Sequence, residues 1–219
     1  MESFEEKRAR ATRIAQALAK AYPEHTRTAL NWRNPFELLI STILAAQTTD
    51  AKVNEVAPHL YARFPDAHVL SKAPIAEVEQ LIHATGFFRN KARMAVRCAQ
   101  ALVEHHGGQV PRTMDALTAL PGVGRKTANV VLTNCFGVPG IVVDTHVIRL
   151  AGRLELSTET DPEAIERDLM SLLEETEWSA FCHRLTHFGR QVCTARMPAH
   201  GECLLLSECP SGLRWRDSG

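Results

Sequence analysis

The chain has 219 residues, of which 45% are hydrophobic, and its formal net charge is zero. This length allows one large domain or two small ones, and the hydrophobic content is ordinary for a globular protein with a buried core. A neutral chain has no overall attraction to a polyanion, so any contact with nucleic acid has to come from a local patch. The charged N-terminus and the lack of a long apolar run predict no membrane span and a cytoplasmic location.

Helical periodicity runs through nearly the whole chain and predicts an all-α protein. The predicted helices before the central turn are 4–21, 35–46, 50–64, 75–84 and 89–106. Those around and after the turn are 113–120, 126–136, 145–153, 162–174 and 178–192. The only β-like run, 140–143, is too short and isolated for a sheet. The tail from Cys193 onward is predicted to be irregular.

The ends of several predicted helices carry recognisable signals. Pro35 and Pro162 follow Asn34 and Asp161, which is the arrangement expected of a first-turn proline after a capping residue. Gly107 follows a predicted helix, where glycine commonly ends the helix in a left-handed conformation. These signals strengthen the prediction of separate, short helices.

The run Leu120-Pro121-Gly122-Val123-Gly124-Arg125-Lys126-Thr127 joins two predicted helices through a tight turn. Proline opens the turn and the two glycines permit left-handed dihedrals, so the turn ends at a helix N-terminus. The N–H groups of residues 122–125 then face outward beside the positive end of the helix dipole, where they can bind a phosphate. Such a unit grips a nucleic-acid backbone without reading bases. A nucleotide-binding P-loop is excluded because it would need glycine at positions 120 and 125.

A second candidate contact is a run of cations with no acid between them, made of Arg89, Lys91, Arg93 and Arg97. The run indicates either a nucleic-acid patch or an ordinary solvated helix face, and charge alone does not decide between them.

Three of the six cysteines, Cys193, Cys203 and Cys209, lie together near the end of the chain. The other three are scattered within helical patterns. In a cytosolic protein a group of this kind binds metal more often than it forms disulfides.

Four features together resemble the bacterial endonuclease III family of the helix-hairpin-helix DNA glycosylase superfamily. They are the hairpin Leu120 to Lys126, the run Val143-Asp144-Thr145-His146, the run Leu44-Ala45-Ala46-Gln47 with Asp50, and the terminal cysteine array. The resemblance covers essentially the whole chain. It implies a six-helix barrel domain at 28–138, with the helix-hairpin-helix at about 113–136. It also implies an iron-sulfur cluster domain made of 1–27 and 139–219, with an active site in the cleft between the two.

The resemblance further implies a bifunctional enzyme of base excision repair, both a DNA N-glycosylase and an abasic-site lyase. It would excise oxidised pyrimidines of the thymine glycol type through a lysine Schiff base and cleave the abasic site by β-elimination. The implied partner is double-stranded DNA that contains damaged pyrimidines or abasic sites. A monomer associated with the nucleoid, without membrane contact, is expected.

Lys126 and Asp144 are the implied catalytic residues. The amine has to be neutral to attack C1′ of the sugar, and the first turn of a helix, where the dipole disfavours positive charge, favours the neutral form. Partial burial would act in the same direction. Without the resemblance, Lys126 could instead contact phosphate, and Asp144 could be only the N-cap of the helix 145–153. As a carboxylate, Asp144 would stabilise positive charge that develops at C1′.

The implied DNA-binding residues surround this chemistry. Residues Gly122, Val123, Gly124 and Arg125 would hold the backbone, Gln47 would fill the space left by the extruded nucleotide, and Phe87 would wedge the stack. The family usually has leucine at the position of Phe87, and without the resemblance Phe87 would be assigned to the core. His146 matches a family position in the cleft, although a lone histidine is more often structural.

The family ligates a 4Fe-4S cluster with four cysteines, but this chain has Cys193, His200, Cys203 and Cys209, with histidine at the second position. Histidine could ligate iron, a Cys₃His set could bind zinc, or His200 could be a bystander to a labile cluster. We favour a His-ligated iron-sulfur cluster, with zinc as the alternative. With either metal the site would be structural, and nearby arginines 184, 190 and 196 would meet the DNA backbone.

Two other functions remain open from the sequence. One is a monofunctional glycosylase of the adenine-mismatch type, which lacks the hairpin lysine and usually carries an additional recognition domain. The other is a non-enzymatic helix-hairpin-helix DNA-binding module, in which Asp144 would have no catalytic purpose.

Overall fold

The computed structural model describes residues 2–217, and in this range the backbone forms helices and turns without a β-strand. The first helices are α1 Phe4–Ala21, α2 Pro35–Leu44, α3 Asp50–Arg63, α4 Ala67–Leu70, α5 Ile75–Leu81 and α6 Phe88–His106. They are followed by α7 Met114–Thr118, α8 Arg125–Cys135, α9 Thr145–Arg153, α10 Pro162–Leu172, α11 Trp178–Gln191 and α12 Pro210–Asp217. The prediction of an all-α protein is confirmed. None of the helices within residues 2–217 has both the length and the apolar character that a bilayer crossing requires.

The chain divides into two compact units. The hairpin unit, Ala29–Val138, holds α2 to α8, and the terminal unit, Met1–Thr28 with Pro139–Gly219, holds α1 and α9 to α12. The interpretation of these units as a barrel domain and a cluster domain stays a prediction based on the resemblance.

The hairpin unit is built around α2. Leu38, Leu39 and Ile40, three consecutive residues of this helix, are fully buried. A helix that is apolar on every side has to be surrounded by other elements, and α2 packs against α3, α6 and α8. This packing supports α8 and the turn that precedes it.

The terminal unit joins residues from both ends of the chain in one core. Ile14 and Leu18 of α1 pack with Leu150 of α9 and with residues of α10 and α11. The β-like run 140–143 forms no strand, as predicted, and Ile141 within it is fully buried in this core. The run is therefore apolar because it lines the core.

The predicted signals at helix ends are confirmed. The side-chain oxygen of Asn34 accepts a hydrogen bond from the N–H of Glu37 at 3.0 Å, and Asp161 accepts one from Ala164 at 2.9 Å. Gly107 ends α6 in the left-handed region, with φ at 58°. Each signal acts within a few residues, so the sequence alone reveals it.

Several helix ends differ from the prediction by one to three residues, and the short helix α4 was not predicted. The largest difference is at the end of α5, which stops at Leu81 and is followed by a 3₁₀ turn, His83–Thr85. Helix α2 stops at Leu44 rather than at residue 46. Apolar periodicity continues past these ends because the next residues, Ala45 and Ile82, are also at least partly buried.

The prediction of an irregular tail is wrong beyond Cys209. Residues Pro210–Asp217 form α12, and Leu205 and Cys209 pack into the core of the terminal unit. Gly212 lies within this helix and allows close packing, since a Cβ on it would lie 2.8 Å from a methyl carbon of Leu206. Glycine serves this close approach rather than breaking the helix.

Candidate active site

The turn between α7 and α8 has the conformation expected from its glycines. Gly122 has φ at 78°, and the N–H of Val123 donates to the carbonyl of Leu120 at 3.1 Å. A Cβ on Gly122 would lie 3.0 Å from the Cβ of Met94, so both the dihedral and the packing require glycine. Gly124, the N-cap of α8, offers no side-chain oxygen to the first-turn N–H groups. This helix start is suited to an external anion.

Lys126 is the second residue of α8, and its side chain is exposed. The helix dipole disfavours a positive charge at this end. The expected partial burial of the amine is not observed in the protein itself. Removal of water from the amine would therefore have to come from a bound ligand.

Asp144 is the N-cap of α9, as the simplest interpretation of the sequence predicts. Its Oδ1 atom accepts hydrogen bonds from the N–H groups of His146 and Val147, both at 2.8 Å. Its Oδ2 atom accepts a longer bond, 3.3 Å, from the hydroxyl of Thr186 on α11. The carboxylate is half-buried, and its orientation is set from two helices.

His146 lies in the first turn of α9 and is half-buried. Its Nδ1 atom is 3.1 Å from the guanidinium of Arg149. Burial lowers the pKa of His146, and the neighbouring charge of Arg149 acts in the same direction, against the opposing effect of Asp144. The ring is therefore held in its neutral form around pH 7.

Gln47 and Phe87 share an uncommon backbone conformation. Both are left-handed, with φ at 53° for Gln47 and 48° for Phe87, and both are exposed. Phe87 is 70% exposed, so the assignment to the core that it would receive without the resemblance is wrong.

Lys91 does not belong to an exposed basic patch. Only 4% of its surface is accessible, whereas Arg89, Arg93 and Arg97 are exposed. Its amine donates hydrogen bonds to the hydroxyl of Thr48 and to the carbonyl of Thr85. Lys91 is therefore neither part of a nucleic-acid patch nor part of a solvated helix face, and both interpretations of the cation run are wrong for this residue.

The four candidate metal ligands line one cavity of the terminal unit. Its volume is about 220 Å³, and its lining includes Cys193, His200, Cys203 and Cys209. Burial raises the pKa of the Cys203 thiol, and the nearby thiols of Cys209 and Cys193 raise it further. The ring centroids of His200 and of Trp215 on α12 are 4.1 Å apart. The structure thus brings together all four residues that the sequence singled out.

Two arginines of α9 that sequence reasoning missed hold this region. Arg153 donates to the sulfur of Cys193 at 3.2 Å and to the carbonyl of Thr194 at 2.7 Å. Arg149 donates to the carbonyl of Cys193 at 3.0 Å. Their partners are 40 or more positions away in the chain, so no local signal could have identified them.

Arg184 was expected to meet a nucleic-acid backbone, but its side chain is only 11% exposed. Its guanidinium donates to the carbonyl of Tyr22 and lies near Glu177. The expectation for Arg184 is wrong because the residue ties α11 to the end of α1. Arg190 and Arg196 are exposed.

Comparisons with known proteins agree on one family. The sequence model of the HhH-GPD superfamily base excision DNA repair proteins matches residues 40–175. Endonuclease III of Synechocystis sp. is 50% identical over 94% of this chain and 94% of its own length. Endonuclease III of Bacillus subtilis is 43% identical over 86% of each chain. The solved structure of a trapped endonuclease III–DNA covalent intermediate, an estranged-adenine complex, is 40% identical and matches with a TM-score of 0.90. The match covers 95% of this chain and 98% of the chain in that structure.

Proposed function

Because this chain belongs to the endonuclease III family, within the HhH-GPD superfamily of base excision DNA repair proteins, we propose that it is a bifunctional DNA glycosylase and abasic-site lyase. It excises oxidised pyrimidines of the thymine glycol type from double-stranded DNA. It then cleaves the strand at the resulting abasic site. The protein acts on the bacterial chromosome in the cytoplasm, as a monomer.

The observation that carries the proposal is the position of Lys126. Its amine is exposed at the second residue of α8, directly after the hairpin turn whose backbone N–H groups suit a phosphate. A bound DNA strand would bring its sugars near this amine. The endonuclease III that shares the fold at a TM-score of 0.90 has been trapped as a covalent intermediate with DNA, which supports the assignment of Lys126 as the nucleophile.

The proposed chemistry needs one neutral amine. The nitrogen of Lys126 attacks C1′ of the damaged nucleotide, and the glycosidic bond to the base breaks. The ring then opens to an iminium, which makes the C2′ proton acidic. Loss of that proton expels the 3′ phosphate by β-elimination, and hydrolysis of the imine frees the lysine.

Asp144 assists the departure of the base in this proposal. Positive charge develops at C1′ as the glycosidic bond breaks, and a fixed carboxylate stabilises that charge. Its N-cap bonds and its contact with Thr186 hold the carboxylate in one orientation. Because these contacts exist before DNA binds, no reorganisation is needed during the reaction. His146 follows in the same helix turn, and its neutral ring contributes hydrogen bonding rather than charge.

Before catalysis the damaged nucleotide has to leave the stack. The turn residues Gly122, Val123, Gly124 and Arg125 hold the strand by its phosphates. Gln47 enters the space that the nucleotide leaves, and Phe87 wedges the neighbouring bases. The exposure of both side chains supports this assignment.

We also infer that the tail binds the 4Fe-4S cluster typical of the family, through Cys193, His200, Cys203 and Cys209. A cavity of about 220 Å³ lined by these residues suits a cluster several ångströms across. Arg153 and the N–H of Gly212 donate to the sulfurs of Cys193 and Cys209, at 3.2 and 3.3 Å. Bonds of this kind tune such clusters.

The alternative of a single zinc ion has less support. Although four such side chains line this cavity, within residues 2–217 no three His, Cys, Asp or Glu side chains form a group that could hold one metal ion directly. A zinc ion would need sulfur ligands at about 2.3 Å, whereas a cluster accepts more widely spaced ones. When bound, the cluster would connect four points of the tail and stabilise its fold.

A nicking assay on a panel of duplexes tests the proposed function. We expect strand cleavage at thymine glycol and at abasic sites and no cleavage of undamaged duplex. Release of adenine from a mismatch without cleavage would instead indicate a monofunctional enzyme. Binding without any reaction would indicate a DNA-binding module and contradict the proposal.

A further inference from the structure

Lys91 of α6 is a buried lysine in the hairpin unit, with 4% of its surface accessible. Burial lowers the pKa of its amine. A lysine is seldom buried unless its amine has partners, because an unpaired ammonium away from water is strongly unfavourable. The partners of this lysine therefore indicate what it does.

The amine of Lys91 belongs to a closed set of three hydrogen bonds. It donates to the hydroxyl of Thr48 at 2.6 Å and to the carbonyl of Thr85 at 2.8 Å. The hydroxyl of Thr48 donates in turn to the same carbonyl. These bonds connect the loop after α2, the turn before α6 and α6 itself.

Each connected loop carries a left-handed, exposed, non-glycine residue beside its bond. Gln47 precedes Thr48, and Phe87 follows Thr85 by two positions. This backbone conformation is unfavourable for such residues and persists only where surrounding contacts impose it. We call Lys91, Thr48 and Thr85 the clamp. Among the hydrogen bonds described for residues 2–217, only those of the clamp join the two loops through an ammonium group.

We propose that Lys91 is a positioning residue that fixes Gln47 and Phe87 as one rigid pair for insertion into the DNA stack. The inference rests on the proposed function, in which these two side chains replace and wedge the extruded nucleotide. Extrusion has to overcome the stacking and pairing of the damaged base. A pair of side chains that is already ordered loses little entropy on binding. More of its binding free energy is therefore available to offset the cost of extruding the base.

Three variants and a control separate this role from a purely structural one. Lys91→Met keeps a long, unbranched side chain and removes the charge. Thr48→Val keeps the shape and removes the hydroxyl, whereas Thr48→Ser keeps the hydroxyl. Lys72→Met makes the same lysine substitution at an exposed position of the same unit.

The assay compares single-turnover base excision from a thymine glycol duplex with borohydride trapping on a duplex that already contains an abasic site. Only the first reaction requires an intact damaged base to leave the stack. We expect Lys91→Met and Thr48→Val to slow excision by about tenfold, equivalent to about 1.4 kcal/mol. Trapping should stay close to that of the unchanged protein, and Thr48→Ser and Lys72→Met should behave normally in both assays.

Equal slowing of both reactions, or normal excision by Thr48→Val, would overturn the proposal. Melting temperatures of all variants accompany the assay. If Lys91→Met does not fold, the comparison of Thr48→Val with Thr48→Ser decides alone. Inactivity of the unchanged protein on both substrates would instead show that the proposed function has failed, and the positioning role with it.

Discussion

The two oxygens of Asp144 have different surroundings. Oδ1 accepts both N–H bonds of the α9 cap at 2.8 Å, whereas among residues 2–217 the longer bond described for Oδ2 comes from Thr186. The cap therefore uses one oxygen fully and leaves the other with capacity for a further interaction. This asymmetry lets one carboxylate start a helix and also face a positive charge that develops on a bound sugar.

Replacing Asp144 by Asn separates these two tasks. Asparagine caps helices about as well as aspartate, so stability should change by less than about 0.5 kcal/mol. Loss of the charge should slow base excision about a hundredfold, in the range seen when a preorganised electrostatic group is removed. Single-turnover kinetics and thermal melting check both expectations.

Asp161→Asn is the matched control, because Asp161 caps α10 of the same unit through the same kind of bond. It should leave both excision and stability unchanged. Normal excision by Asp144→Asn would reduce Asp144 to a helix cap.

At the scale of elements, the features that act locally could be predicted. The turn at Gly122, the cap at Asp161 and the all-α class follow from residues close in the chain. The burial of Lys91 could not be predicted, because its partner Thr48 lies 43 positions away. Helix α12 was missed for a related reason, since it packs against α9, which lies much earlier in the chain.

The candidate site also contains features that are visible in the sequence and features that depend on contacts between distant residues. The motif and the resemblance single out Lys126, Asp144 and the four residues of the tail cavity, and their roles stay predictions. The support that Arg153 gives to Cys193 depends on the tertiary structure. Sequence patterns thus identify the groups with reactive chemistry better than the groups that hold them in position.

The metal content of the tail gives a prediction at this scale. Purified protein should contain about four iron and four sulfide per chain, as a 4Fe-4S cluster requires. Pulsed EPR of the paramagnetic cluster in ¹⁵N-labelled protein should detect coupling to the imidazole of His200. In His200→Cys that coupling should disappear, and the reduction potential should fall because thiolate adds negative charge.

His105→Cys is the control, since His105 is exposed in the hairpin unit. It should leave both the nitrogen coupling and the potential unchanged. Zinc at full occupancy without iron would contradict the cluster, and iron without nitrogen coupling would contradict the role of His200.

At the scale of the whole molecule, the formal charge of zero means that DNA is not attracted by net charge. The proposed contacts are instead local, made by the N-terminus of α8 and by exposed side chains of each unit. The proposal also assigns chemistry to both units, with Lys126 in the hairpin unit and Asp144 in the terminal unit. Each unit has its own core, so substitution of either residue should leave the fold intact.

The most direct test is covalent trapping with borohydride on a duplex that contains an abasic site. The unchanged protein should form a stable adduct, and peptide mass spectrometry should locate it at Lys126. Lys126→Ala should form none, although alanine preserves the helix, while the exposed-lysine control Lys72→Ala should form the normal amount. An adduct of normal yield in Lys126→Ala, or one located at another residue, would contradict the account.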